Sequence, residues 1–283
     1  MSASDDAPDW RALNQANWDE RVAIHLGPRG YNVGALFDGT ARLDAIVTAE
    51  LGPVAGMRIL HLQCHFGWDS LVLAQQGASV VGLDFSAPAI EAARDLADRL
   101  GLADRARFVR ANLYDAMTAI PEPASFDVVF VTWGALCWLP DIAGWAERVG
   151  HFLKPGGWLY LAEGHPAALV LDDHRKLPDG TPGFMLPYFH TEALRFNDAS
   201  DYSDPEASLT NSATCEWIHP LGAVVTALIG AGLRLEWLHE HAGVTWKMFG
   251  CLVKGADGLY HWPGTPWLPL AYSLRATHVS DSA

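Results

Sequence analysis

Apolar positions change period several times along the chain, and each change marks an element. After an acidic start, Trp10 to His25 has the three-to-four-residue spacing of an amphipathic helix, followed by a Gly-Pro-Arg-Gly turn and Tyr31. A second helix is predicted near Ala41 to Leu51, ended by Gly52-Pro53. Strands and helices then alternate. Arg58–Leu62, Ser79–Leu83, Arg107–Arg110, Phe126–Val131 and Trp158–Ala162 read as strands, and the nearly unbroken apolar run of Phe126–Val131 fits a central parallel strand covered on both faces. Helices are expected over Trp68–Gln76, Pro88–Leu100 with Ser86 as cap, and Asp141–Leu153, the last stopped by Lys154-Pro155-Gly156-Gly157. Five strands, each followed by a helix or crossover, predict a doubly wound α/β sheet. From Glu163 to Trp217 the alternation lapses into Pro, Asp and aromatic residues. A structureless loop of that length does not suit a compact domain, so the stretch reads as a functional insertion with short strands of its own. A helix at Pro220–Ala231 follows. The strand Leu233–His241, with Leu233, Leu235, Trp237, His239 and His241 on one face, and a last strand, Leu268–Ala276, complete the pattern.

Composition narrows the function. Half of the 283 residues are apolar and 18% are charged, which excludes disorder over most of the length. Nineteen basic against 33 acidic residues give a net charge of −14, a field that repels nucleic acid and anionic membrane surfaces. No apolar run approaches the roughly 20 residues of a membrane span, and the first residues have no basic, apolar leader pattern. With four scattered cysteines (Cys64, Cys137, Cys215 and Cys251) and no CxxC, the expected setting is a reduced cytoplasm. No metal site is expected: HExxH is absent, and His239-x-His241, with Cys215 and His219, reads as a hydrogen-bonded strand edge. Twelve tryptophans could line a ligand pocket or pack the core.

Open α/β sheets bind ligands at the carboxyl ends of their strands. After the first strand comes Leu62-Gln63-Cys64-His65-Phe66-Gly67-Trp68, and about 20 residues beyond Gln63 stands Asp84, followed by Phe85, at the end of strand two. A carboxylate there can accept hydrogen bonds from both hydroxyls of a ribose, or it can cap a helix. These residues do not sit alone. Val109-Arg110-Ala111-Asn112-Leu113, Phe126-Asp127-Val128-Val129 and Leu153-Lys154-Pro155-Gly156-Gly157 follow in order at ordinary spacing.

In these motifs the chain resembles the class I S-adenosylmethionine-dependent methyltransferases over nearly its whole length. The resemblance implies a seven-stranded Rossmann-like sheet closed by an antiparallel strand pair, with the aromatic insertion after strand five. Residues 1–55 would form a helical lid, and 56–283 the cofactor-binding domain with a substrate-side insertion at about 166–217. It implies S-adenosylmethionine as cofactor, held by Gln63, Gly67, Asp84, Phe85, Asn112, Leu113 and Thr132, with Trp18 folding over it from the helix carrying Asn14, Asn17 and Arg21. One departure matters. The family loop carries three glycines, whereas this chain has only Gly67, with Gln63 and His65 at the other two places, and so resembles a subgroup with a Leu-Gln-Cys-His-Phe-Gly loop. Glycine accepts positive φ and close backbone approach, so Gln63 and His65 must change the path or supply polar contacts.

Methyl transfer is an in-line displacement that positioning alone can accelerate, although a hydroxyl or carbon nucleophile gains from a base. His165, just past strand five, is the expected base or orienter, with Glu163 as the alternative and His190 and His219 nearby. Trp133, Tyr188 and Trp217 are expected to touch the acceptor, beneath a roof that includes Phe184, Phe189, Phe196 and Tyr202. The expected partner is a small, aromatic molecule of specialised metabolism, methylated at N, O or C. A homo-oligomer contact is the rival use of the insertion aromatics. The alternative function is a non-catalytic module that binds S-adenosylmethionine or a protein.

Overall fold

The computed structural model describes residues 9–266 and 268–279, so the acidic start of the sequence lies outside the described residues. Helix α1 (Trp10–His25) has Asp9 as its cap, its carboxylate accepting from the Arg11 N–H. Two short helices follow, α2 (Gly34–Phe37) and α3 (Ala45–Glu50). The latter starts four residues later than the apolar pattern predicts, because the Asp44 side chain caps it by accepting from the N–H groups of Ile46 and Val47. The alternating region runs β1 (Arg58–Leu62), α4 (Trp68–Gln75), β2 (Ser79–Asp84), α5 (Ala87–Arg99), β3 (Ala106–Arg110), α6 (Ala116–Ala119), β4 (Phe126–Thr132), α7 (Ile142–Phe152) and β5 (Leu153–Gly164). Ser86 caps α5 as expected, its hydroxyl accepting from the Ala89 N–H.

After β5 come α8 (Pro166–Leu169), the paired strands β6 (Leu171–Asp172) and β7 (Gly183–Phe184), and the paired strands β8 (Leu194–Asn197) and β9 (Ala213–Glu216). The insertion thus has short strands of its own. Helix α9 (Leu221–Gly230) leads into β10 (Leu233–His241), then β11 (Gly243–Val244), β12 (Val253–Lys254), β13 (Tyr260–His261) and β14 (Ala271–His278).

Seven strands form the central sheet in the order β3-β2-β1-β4-β5-β14-β10, with β14 antiparallel to both β5 and β10 and the other pairs parallel. Successive residues of the inner strands go to opposite faces. Ile59, Val80 and Val128 pack towards α4 and α5, whereas Leu60, Val81 and Val129 pack towards α7 and α9. Burial on both faces is why these strands read as apolar runs.

Three departures from the sequence pattern have local causes. Strand β5 begins at Leu153 rather than Trp158, because its pairing with β4 starts at Phe126–Leu153 and absorbs the Pro-Gly-Gly segment in a register shift before Val128–Trp158. A similar irregularity in β10, between Leu235 and Trp237, breaks the single face assigned to it. Leu233 and Leu235 stay with the α7 side, while Trp237 turns to the α4 side, stacked on His239 at 4.4 Å. The closing pair also is no simple hairpin: between its strands lies the three-stranded sheet β11-β13-β12. Val244, Phe249, Leu252 and Trp262 of that excursion share a third core with Val170, Leu171 and Ile218, so the two departures from the alternation fold together.

Gly82, in the middle of β2, lies where a Cβ would stand 2.7 Å from the Phe108 ring and 2.8 Å from Cys64 Sγ. Gly82→Ala therefore overpacks the layer beneath the loop after β1. A loss of about 1–3 kcal/mol is expected in denaturant unfolding, with the far-ultraviolet spectrum of the fold retained.

Candidate active site

Strand order reverses between β1 and β4, and such a switch point leaves a crevice at the carboxyl ends of the strands. A cavity lies there. Its walls come from the loop after β1 (Gln63, Cys64, His65, Phe66, Trp68, Asp69), the end of β2 (Asp84, Phe85) and the end of β4 (Thr132, Trp133, Gly134, Ala135, Trp138). Trp18 of α1, Tyr31, and Tyr202 of the insertion close it.

The loop is built under strain. Gln63 and His65 have φ of +57° and +51°, and across the cavity Trp133 has +52°. Left-handed backbone at non-glycine residues costs on the order of 1–3 kcal/mol each and persists only where surroundings enforce it. The side chains supply that enforcement. Gln63 Nε2 donates to the Ala135 carbonyl at 2.8 Å, and His65 Nε2 lies 2.8 Å from His25 Nδ1 of α1. Gln63 and His65 thus keep left-handed backbone, which glycine would adopt freely, and add polar contacts. At Gly67, φ +78°, no such substitution is available, because a Cβ would meet the Phe108 ring at 2.6 Å.

The Asp84 carboxylate accepts the N–H of His65 at 2.8 Å and that of Ser86 at 2.9 Å. Burial pushes it up to about 6, with those donors opposing the rise. Asp69, in the first turn of α4, accepts from Thr132 Oγ1 at 3.1 Å and is pushed up to about 7 by burial and by the neighbouring Asp44. Asp44 in turn accepts from Trp133 Nε1 at 2.7 Å. His61, at the end of β1, is held neutral by burial, down to about 3, with Nδ1 2.8 Å from Ser70 Oγ. The cavity thus gathers carboxylates that resist ionisation, and unpaired polar atoms as well: Gln63 Oε1 and His65 Nδ1 are buried without a hydrogen-bond partner among the described residues.

Of the residues singled out from the sequence, Trp18, Gln63, Asp84, Phe85, Thr132 and Trp133 line this cavity. Gly67 sits just behind it as the N-cap of α4. Asn112 and Leu113 do not line it: Asn112 Oδ1 caps a short turn by accepting from the Tyr114 N–H, and Leu113 is buried in the α7-side core. His165 and Glu163 also lie outside its walls. The Glu163 carboxylate accepts from the N–H groups of Gly134, Ala135, Leu136 and Gly164 at 2.6–3.2 Å, holding the loop after β4 from behind. His165 caps α8, with Nδ1 accepting from the Ala167 N–H and Nε2 3.0 Å from Glu240 Oε1. Tyr188 Oη accepts from the Leu221 N–H at the start of α9, and Trp217 packs edge-on against Trp10 at 5.5 Å. Of the insertion aromatics only Tyr202 reaches the cavity, while Phe184 and Phe189 are about three-quarters exposed. Sequence reasoning missed Asp69 and Trp138 as wall residues. An acid in the first turn of the helix after the loop was a usable signal for Asp69. Trp138 carried none.

Residues 59–157 match the family model described as methyltransferase domain. Demethylmenaquinone methyltransferase of Clavibacter sepedonicus is 38% identical over 117 residues, 41% of this chain and 44% of that protein. A ubiquinone biosynthesis O-methyltransferase of Leptothrix cholodnii is 29% identical over 116 residues, 41% of this chain and 48% of the relative. The chain thus spans less than half the length of either curated relative. The crystal structure of an S-adenosylmethionine dependent methyltransferase from Mesorhizobium loti shares the fold at a TM-score of 0.55, with 21% identity, covering 82% of this chain and 95% of that one. Residues 59–157 thus resemble a methyltransferase domain, and the chain has the Rossmann-like fold of such proteins.

S-adenosylmethionine fits the cavity's donor set. The molecule carries a cationic sulfonium, an ammonium and a ribose diol, and the walls offer Asp69, Asp84, unpaired polar atoms and tryptophan faces, which attract cations. A carboxylate at about 6 gives a sign to the pH dependence. A ligand that prefers ionised Asp84 binds more weakly as pH falls through that value, by up to about tenfold per pH unit. Calorimetric titration with S-adenosylmethionine from pH 7.5 to 5 is expected to show this loss, and Asp84→Asn is expected to lack its share of the slope.

Proposed function

We propose that the chain transfers a methyl group from S-adenosylmethionine to a small, planar aromatic acceptor, with a phenol or quinol hydroxyl as the leading acceptor chemistry. The observation that carries the reading is one cavity at the switch point of the sheet, with the Asp84 carboxylate on one wall and aromatic rings on most of the others. The names of the two curated relatives, a demethylmenaquinone methyltransferase and a ubiquinone biosynthesis O-methyltransferase, support an acceptor of the quinone type. Residues 1–55 act as a lid, 56–283 as the cofactor-binding domain and about 166–217 as the substrate-side insertion. The Leu-Gln-Cys-His-Phe-Gly loop marks the subgroup. No helix among the described residues is long and apolar enough to cross a membrane, in keeping with action in the cytoplasm on a diffusible acceptor.

The cofactor, when bound, supplies a methyl group on a positively charged sulfur. The chain supplies position. Asp84 would accept the ribose hydroxyls, and the first turn of α4, which has no side-chain cap, would offer its N–H groups to the carboxylate end. Asp69 and Thr132 complement the positive end. Trp133, Trp138 and Tyr202 hold the acceptor flat and keep water out. Glu163 and His165 are positioning residues: the first fixes the backbone that carries Trp133, and the second fixes the turn into α8.

Purified protein incubated with tritiated S-adenosylmethionine and pools of phenols, quinols, indoles and amines tests the reading. Label is expected in the phenol or quinol pool; label in none of them, or only in amines, overturns the acceptor. Asp84→Ala removes a charge-assisted contact, so cofactor affinity is expected to fall more than tenfold. His165→Gln is expected to lower stability by about 1 kcal/mol and to leave turnover within a few-fold, whereas a fall of ~10²- to 10⁴-fold would return His165 to the chemistry.

A further inference from the structure

The cofactor loop is tied to the insertion through the lid helix by buried ionisable side chains. Asp201 of the insertion accepts from Arg21 Nη1 at 2.7 Å, and the same oxygen lies 3.1 Å from His25 Nε2. His25 Nδ1 lies 2.8 Å from His65 Nε2, and the His65 N–H donates to Asp84 Oδ2 at 2.8 Å. The chain of contacts therefore runs from residue 201 to the carboxylate on the cavity wall.

Its proton positions follow from the end that cannot donate. Burial raises the Asp201 carboxyl, but hydrogen bonds from His25 and Ser203 outweigh it and hold the group well below the usual carboxylate range, so it is an acceptor only. A neutral His25 that donates from Nε2 to this carboxylate has a lone pair on Nδ1. His65 must donate to it from Nε2. Burial holds His65 well below the ordinary imidazole range, so a neutral ring that donates from Nε2 has Nδ1 unprotonated.

The insertion is docked independently on the same helix. The Asn14 amide pairs with both the N–H and the carbonyl of Cys215 at 2.8 Å, and Glu20 accepts the N–H groups of Thr210 and Asn211. Tyr31 and Tyr202 meet through their hydroxyls at 2.9 Å. A left-handed His65 needs a force to hold it, and the only polar partner of its ring among the described residues is His25.

We propose that Asp201 and His25 are positioning residues for the transfer reaction: their relay holds His65 in its left-handed conformation, so that the loop takes its cofactor-binding shape when the insertion is docked. A glycine at 65 would adopt that conformation without help. The relay therefore matters only while residue 65 has a side chain, and this distinguishes positioning from general structural support. The inference rests on S-adenosylmethionine as ligand, but its first readout does not.

In ligand-free protein labelled with 15N-histidine, His25 and His65 are both expected as Nε2–H tautomers, and Asp201→Asn is expected to shift the backbone amide of His65. A proton on His65 Nδ1, or an unmoved amide, overturns the relay whatever the ligand. Calorimetry with S-adenosylmethionine then forms a cycle. Asp201→Asn is expected to weaken binding about tenfold in the natural background and by less than twofold in a His65→Gly background. Equal losses in both backgrounds overturn the inference and leave the cofactor reading intact. Failure of the unaltered protein to bind S-adenosylmethionine overturns that reading, and the tautomers and amide shift still decide the relay.

Discussion

The backbone between Gln63 and Gly67 must turn sharply from β1 into α4, and the rest of the site depends on that turn. It passes through left-handed conformations at residues 63, 65 and 67, only the last of which is glycine. A chain that places side chains at strained positions needs partners for them, and here the partners come from three distant segments: Ala135 after β4, His25 in α1 and, through it, Asp201 in the insertion. Strain at the loop and the docking of α1 and the insertion are thus one balance of forces. Trp133 repeats the arrangement on the opposite wall, left-handed and tethered through its indole to Asp44. The left-handed non-glycine residues of the described structure are four, and three of them face the cavity, as expected where backbone strain is kept for function.

The sheet was legible because its strands are buried on both faces or start at clear punctuation. Helix α1 agrees with its apolar pattern to the residue, and α5 begins at its serine cap. Features that depend on pairing were not legible. The early start of β5 and the irregularity in β10 arise from register with neighbouring strands, which no local pattern contains. The small sheet of β11, β12 and β13 was missed for a related reason: its strands have two residues each, and its apolar residues are sorted by a core shared with a segment more than 70 positions earlier.

The site was legible where function follows strand position. Gln63, Asp84, Phe85, Thr132 and Trp133 were reached by asking what stands at strand ends, and all line the cavity. His165 and Glu163 satisfied the same rule and do not, because adjacency to a strand end does not say which way a side chain turns. Glu163 is the last-but-one residue of β5, and its carboxylate is consumed by four backbone N–H groups. The His25–His65 contact spans 40 residues and the His25–Asp201 contact 176, so the sequence carries no local mark of either.

The electrostatics of the cavity complete the logic. Buried carboxylates whose acidity has been weakened by desolvation are costly to ionise in the free protein, and a ligand that brings positive charge lowers that cost in proportion to its own affinity. Asp69 and Asp84 are therefore better suited to a cationic occupant than to a neutral one of the same shape. Methyl transfer removes the positive charge from the sulfur, so the product of the proposed reaction loses part of the attraction that the substrate form enjoys. Walls that held the cofactor as proposed would thereby also favour its replacement after turnover, without any moving part being required for the discrimination.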